Sequence, residues 1–146
     1  MILEKIIKIK TYCLFTLALV ITAPSLADSS ASVEFIRYGL VRVDNTIYLS
    51  GQMGTKPGTI ELVEGGIKEE TRQALSNIKA VLESIDLSMG NIVKCTAILV
   101  DIGEWSEFNE VYKTFFTGKR PARTTFGAGG LALGGRVEIE CLAVDF

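Results

Sequence analysis

The sequence predicts an α+β domain: a mixed β-sheet with both of its helices on one face. Three observations carry this. Short β-branched runs and stripes of helical period succeed each other in the order strand, strand, helix, strand, helix, strand, with a further short strand before the last. Of 146 residues, 48% are hydrophobic and 22% charged, the balance of a folded domain rather than a disordered chain. Asp44-Asn45 separates the first two strand-like runs with residues that tolerate the positive φ of a tight hairpin.

Each element has its own local reason. Residues 33–43 and 46–50 are rich in β-branched and aromatic side chains and read as the hairpin strands. Residues 51–66 hold most of the mid-chain glycines and Pro57, and read as a loop. Over residues 67–85 the apolar residues Ala74, Leu75, Ile78, Val81, Leu82 and Ile85 share one helical face, with Glu69, Arg72, Lys79 and Glu83 mostly opposite. Ser88-Met89-Gly90-Asn91 ends that helix. Residues 92–100 are nearly continuous in apolar character, as in a covered central strand. Trp105, Phe108, Val111, Tyr112, Phe115 and Phe116 recur at spacings of three and four, predicting a helix over residues 104–116. A short strand at 124–126, a flexible glycine-rich connection at 127–135 and a last strand at 137–144 complete the order. Helices on one face leave the other face needing cover, which points to a homo-oligomer.

The amino terminus reads separately, as a signal peptide over residues 1–27 preceding a domain of residues 28–146. Lys5, Lys8 and Lys10 form a basic start, residues 11–27 carry no charge, and residues 13–23 are a compact apolar run. Ser25-Leu26-Ala27 presents small residues at the −3 and −1 positions of a cut after Ala27. The uncharged stretch falls just short of a spanning helix of roughly 18–20 residues, so a stable membrane anchor is the less favoured alternative. The expected location is periplasmic or secreted. Removing this leader takes three lysines and one glutamate from totals of 15 basic and 17 acidic residues, leaving 119 residues with net charge −4.

The composition excludes several chemistries. There is no histidine, hence no Ser-His-Asp or Cys-His relay and no metal site built on imidazole. The acidic balance offers no excess to hold a phosphate backbone, so no nucleic-acid partner is expected. The glycine stretch 127–135 lacks the Lys-Ser/Thr of a P-loop and leads into a strand where a phosphate cradle needs a helix. Cys95 and Cys141 each lie inside an apolar run. Buried free thiols acting as small hydrophobes are the preferred reading, and a disulfide is the alternative an oxidising compartment permits. Glu69, Glu70, Glu104, Glu107 and Glu110 read as helix-surface charges.

Two residues stand out. Glu138 lies in the apolar run 137–144, and strand parity puts it on one face with Glu140. Such a carboxylate either faces water or is placed in a site, where desolvation raises its pKa. Arg123 follows Pro121-Ala122, which stiffens the approach to a short strand. Its fork suits a carboxylate, and a surface ion pair is the alternative.

Thr46-Ile-Tyr-Leu-Ser-Gly-Gln52, Thr71-Arg-Gln-Ala-Leu-Ser-Asn-Ile-Lys-Ala-Val-Leu82, Asn109-Glu-Val-Tyr112, Pro121-Ala-Arg-Thr-Thr125 and Val137-Glu-Ile-Glu-Cys141 together resemble the RidA/YjgF enamine/imine deaminases. The likeness runs over about residues 40–145, in the family's order and spacing. It implies a chorismate-mutase-like fold with a six-stranded sheet, and a homotrimer with clefts between subunits. It also implies cofactor-free hydrolysis of 2-enamine and 2-imine acids, such as 2-aminoacrylate, to 2-keto acids and ammonia. On this likeness Arg123 binds the substrate carboxylate, helped by the backbone N–H of Thr125. Glu138 positions and activates water, and Ser50 and Asn109 shape the cleft. The chain departs from the pattern in three ways. Ile36-Arg37 stands where many members have Pro-Tyr, no proline follows Leu131, and members are usually leaderless. The competing reading is a trimeric module that binds a small carboxylate or a protein partner without turnover.

Overall fold

A computed structural model describes residues 30–36 and 39–146; the proposed leader, and Arg37 of the Ile36-Arg37 pair, lie outside the described residues. Residues Ala31–Phe146 form one compact unit. Its sheet has six strands: β1 (Val33–Ile36), β2 (Leu40–Val43), β3 (Thr46–Met53), β4 (Ile92–Leu99), β5 (Ala122–Gly127) and β6 (Val137–Val144), in the spatial order β1-β2-β3-β6-β4-β5. Every pairing is antiparallel except β4 with β5. Two helices, α1 (Gly66–Glu83) and α2 (Trp105–Tyr112), cover one face, so the α+β reading with a mixed sheet holds.

The run 33–43 is two strands rather than one. Gly39, at φ +73°, turns the chain, and β1 folds back on β2 with Phe35 opposite Val41. The Asp44-Asn45 turn forms as expected, with Asp44 at φ 51°. The second helix is shorter than its aromatic spacing suggests. It is α-helical to Tyr112 and tightens into a 3₁₀ turn at Lys113–Phe115. The Ser88–Asn91 break is a capped 3₁₀ turn, in which Ser88 and Asn91 satisfy each other's backbone. The connection 127–135 contains a 3₁₀ turn at Ala132–Gly134 and leads into β6.

The core lies between the sheet and the helices. Ile67, Ala74, Leu75, Ile78 and Leu82 of α1 meet Ile47, Cys95, Leu99, Val137 and Ile139 of the strands, with Phe108 entering from α2. Alternate strand residues supply this layer, because successive side chains leave opposite faces of a sheet.

Two sequence readings need correction. Cys95 and Cys141 are not free thiols but a disulfide, with Cα atoms 4.1 Å apart. Antiparallel pairing sets them directly opposite each other on the helix-covered face, the close juxtaposition a cross-strand bond needs. Glu70 is not a surface charge. It is only 5% exposed, and its carboxylate accepts the backbone N–H of Arg136 at 2.8 Å. Gly54 makes room for it, since a Cβ there would stand 2.6 Å from the Glu70 Cα. The contact ties α1 to the chain entering β6, two residues before Glu138. Of the other acids in that group, Glu104 pairs with Arg136 and Glu110 with Lys68.

Candidate active site

The five residues singled out from the sequence fall into two groups, one on each side of the sheet. Arg123 sits on β5, at one edge, paired in register with Cys95, whose side chain belongs to the core. It therefore points to the helix face, where Nη2 donates to Asn109 Oδ1 at 2.9 Å. The guanidinium carbon lies 4.3 Å from the ring centre of Tyr112 and 5.3 Å from that of Phe108. Both distances are within cation–π range. Among the described residues, no carboxylate lies within salt-bridge distance of Arg123. Thr125 follows on the same face, its buried Oγ1 without a partner among the described residues.

Glu138 faces the other way. It pairs in register with Ile98, which in turn pairs with Phe126, on the face the helices leave bare. Beside it the β3–β6 register slips between Leu49 and Gln52, and this irregularity brings Gly51 against the Glu138 side chain. The fit requires glycine: a Cβ on Gly51 would stand 2.0 Å from Glu138 Oε1. Ser50 is held in turn by Gly39, whose carbonyl accepts the Ser50 N–H at 2.9 Å. A groove of about 460 Å³ opens nearby between Val41, Tyr48, Ser50, Lys94, Thr96 and Glu140.

The structure thus joins Asn109 and Arg123, with Thr125 on the same face, and puts Ser50 and Glu138 on the other face with Gly51 against Glu138; the sheet separates the two groups within one chain. Sequence reasoning missed the partners of both. Phe108 and Tyr112 read as core by their spacing; their place beside Asn109 was the available signal. Gly51 read as loop, and its role depends on a β-irregularity that composition does not reveal. Tyr112 is 4% exposed, and its hydroxyl has no hydrogen-bond partner among the described residues. Burial pushes its pKa up to about 12, although the Arg123 charge pulls it down.

These residues can hold a small carboxylate against a fork in partly buried surroundings. On the far face, they can present a carboxylate base to a second ligand atom. Nothing in either group forms a metal cage, and no cluster of three potential ligands occurs among the described residues.

Comparison with known proteins bears on which chemistry this is. Residues 29–145 match the family described as Endoribonuclease L-PSP. The chain is 45% identical over 105 residues to the 2-iminobutanoate/2-iminopropanoate deaminase of Mus musculus, covering 72% of this chain and 78% of that protein. It is 47% identical over 105 residues to the enzyme of the same name from Bos taurus, with 72% and 77% covered. The crystal structure of E. coli TdcF with bound serine superposes with a TM-score of 0.70 at 30% identity, covering 80% of this chain and 94% of that one. The chain belongs to the endoribonuclease L-PSP family, the RidA/YjgF group that its motifs resemble.

Proposed function

We propose that this protein hydrolyses small 2-imino and 2-enamino acids to 2-keto acids and ammonia, at a site that two copies of the chain build together. The observation that carries the reading is the Arg123 fork, oriented by Asn109 and free of any carboxylate among the described residues. The relatives named 2-iminobutanoate/2-iminopropanoate deaminase supply the substrate class.

The chemistry follows from the groups available. Arg123 takes the substrate carboxylate in a bidentate grip, which fixes the neighbouring imine carbon. Thr125 lies on an edge strand, where alternate backbone N–H groups are left unpaired by the sheet. Glu138 removes a proton from water as its oxygen adds to the carbon of the protonated imine and the C=N pair moves to nitrogen, giving a neutral carbinolamine. The same carboxyl then returns that proton to nitrogen, and ammonia leaves as the carbinolamine hydroxyl gives its own proton back to the carboxylate and the C=O forms. No step calls on a cofactor.

Arg123 and Glu138 point to opposite faces of one sheet, so the reading pairs Arg123 of one copy with Glu138 of the next. A homotrimer closes this arrangement with three equivalent clefts. The bare face supports it: Phe35 is 83% exposed on β1, with Val33 and Tyr48 exposed towards the same edge and Phe126 exposed on β5 at the other. Export is the second part of the reading. The basic start, the uncharged stretch 11–27 and Ser25-Leu26-Ala27 support it, as does a disulfide that suits an oxidising compartment. Mass measurement of the mature amino terminus tests it: a start at Asp28 is expected, and intact Met1 in the cytosol overturns it.

Mixed assembly tests the shared site. Arg123→Ala and Glu138→Gln are each expected to be nearly inactive. After dissociation and reassembly in equal amounts, about a quarter of the clefts receive one intact residue from each copy and recover activity. No recovery means that the two residues do not meet across copies. A wild-type protein that binds keto acids through Arg123 without hydrolysing imines is a binding module instead.

A further inference from the structure

The structure assigns Tyr112 a part in substrate binding: its aromatic face positions the Arg123 guanidinium for the substrate carboxylate. This rests on the deaminase reading of the same site. Arg123 is a long side chain on an edge strand, and left to itself it samples many rotamers. The one side-chain hydrogen bond it makes among the described residues, Nη2 to Asn109 Oδ1 at 2.9 Å, fixes a single end of the fork. A planar group held at one point still swings. The second restraint is the ring of Tyr112, whose centre lies 4.3 Å from the guanidinium carbon, nearer than the 5.3 Å of Phe108.

The ring itself is buried and packed on both sides. Tyr112 lies between Phe108 and Phe116 on one side of α2 and the following turn, with ring centres 5.4 and 4.8 Å away. Residues four apart on a helix stack along one line, so the three aromatics form a continuous shelf beneath β5. The Tyr112 hydroxyl has no partner among the described residues, so packing and not a polar contact among them sets the ring's place. The part of Tyr112 that touches Arg123 is a ring that phenylalanine also provides.

The test separates a platform from mere core filling. Tyr112→Leu is expected to raise KM for 2-iminopropanoate, and to weaken 2-oxobutanoate binding, by about tenfold, the size of a lost cation–π contact. Its kcat stays within about threefold, because the ring holds the carboxylate and not the reacting carbon. Tyr112→Phe is expected to rescue KM and affinity, and the ring-current shift of the Arg123 Nε–H resonance persists in it but vanishes in Tyr112→Leu. Should Tyr112→Leu fail to fold, Tyr112→Met is measured in its place. A normal KM and normal 2-oxobutanoate affinity without the ring overturn the inference, as does a Tyr112→Phe variant that fails to rescue. If the wild-type protein binds 2-oxobutanoate but hydrolyses no imine, the deaminase reading falls while the affinity comparison still decides the role of Tyr112.

Discussion

The two sides of the sheet treat their functional residues differently. On the helix face, Arg123 is already oriented in a single chain, by Asn109 on one nitrogen and by Tyr112 and Phe108 against its plane. On the bare face, Glu138 leans on a glycine beside an irregular strand, among exposed side chains that no other described residue of the same chain covers. On the proposed function, the binding half is preorganised locally and the proton-transfer half awaits a neighbour. That division would suit the chemistry. A guanidinium must be aimed, and its own core can do that; a general base gains from exclusion of water, which in the proposed assembly a second copy would supply.

The largest expected effect breaks the bare side. Glu138→Gln keeps the shape but removes the base, so kcat should fall by roughly 10²–10⁴ while 2-oxobutanoate still binds. Steady-state assays on imines generated in situ, beside calorimetry with the keto acid, check both halves of that statement. A variant that loses binding as strongly as turnover would place Glu138 with the carboxylate clamp instead.

Next comes the bond beneath the ordered side. Cys95 pairs in register with both Cys141 and Arg123, so the disulfide lies directly behind the clamp. Its partners are 46 residues apart. Closing a loop of that size stabilises a domain by about 2–4 kcal/mol, mainly through the unfolded chain. Replacing both cysteines by alanine should lower the denaturant midpoint accordingly. Because the strands remain paired, activity under native conditions should survive.

Legibility in the sequence followed the range of the interactions. The helices, the hairpin turn and the order of strands were readable because periodicity and turn chemistry are local. Arg123 and Glu138 were readable as residue types in unusual settings: an arginine after Pro121-Ala122 and a carboxylate inside an apolar strand. The face each occupies was only half readable. Parity joins Glu138 to Glu140, but placing Arg123 opposite them requires the β4–β5 and β4–β6 registers, which are set by packing of the whole sheet. The disulfide was missed for the same reason. Glu70 was missed because a helix pattern reports polarity, while its actual partner is a backbone N–H 66 residues away. The break at Gly39 was the one local signal passed over, a glycine inside an otherwise strand-like run.

A smaller effect sharpens the account of the bare side. Gly51→Ala would bring a Cβ to 2.0 Å from Glu138 Oε1 and 2.8 Å from its Cδ. The side chain of Glu138 is partly exposed and can swing aside, so the fold should tolerate the change. The base then leaves its place, and a loss of kcat of about tenfold is expected, below the roughly hundredfold that a full ångström of misplacement can cost. An unchanged melting temperature alongside that loss locates the effect in the carboxylate, and a large drop in stability would locate it in β3.

The smallest effect probes the ordered side by pH. The Tyr112 phenol ionises near 12 in the fold because burial opposes the charge, against 10.0 for an ordinary tyrosine. Below about pH 10 the phenol is neutral in both folded and unfolded chains and does not alter stability. Between about 10 and 12 only the unfolded chain sheds the proton, so stability declines as pH rises through that window. Tyr112→Phe should remove that part of the alkaline decline, which denaturant titrations at several pH values can measure. The nearby Arg123 charge works against the burial, lowering the phenol pKa by favouring the tyrosinate. Arg123→Ala should therefore push the Tyr112 ionisation still higher, as read from tyrosinate absorbance with the Tyr112→Phe spectrum subtracted. An ionisation that ignores the loss of Arg123 would mean that the guanidinium does not rest on this ring in solution, and the contrast between an aimed clamp and an uncovered base would lose its firmer half.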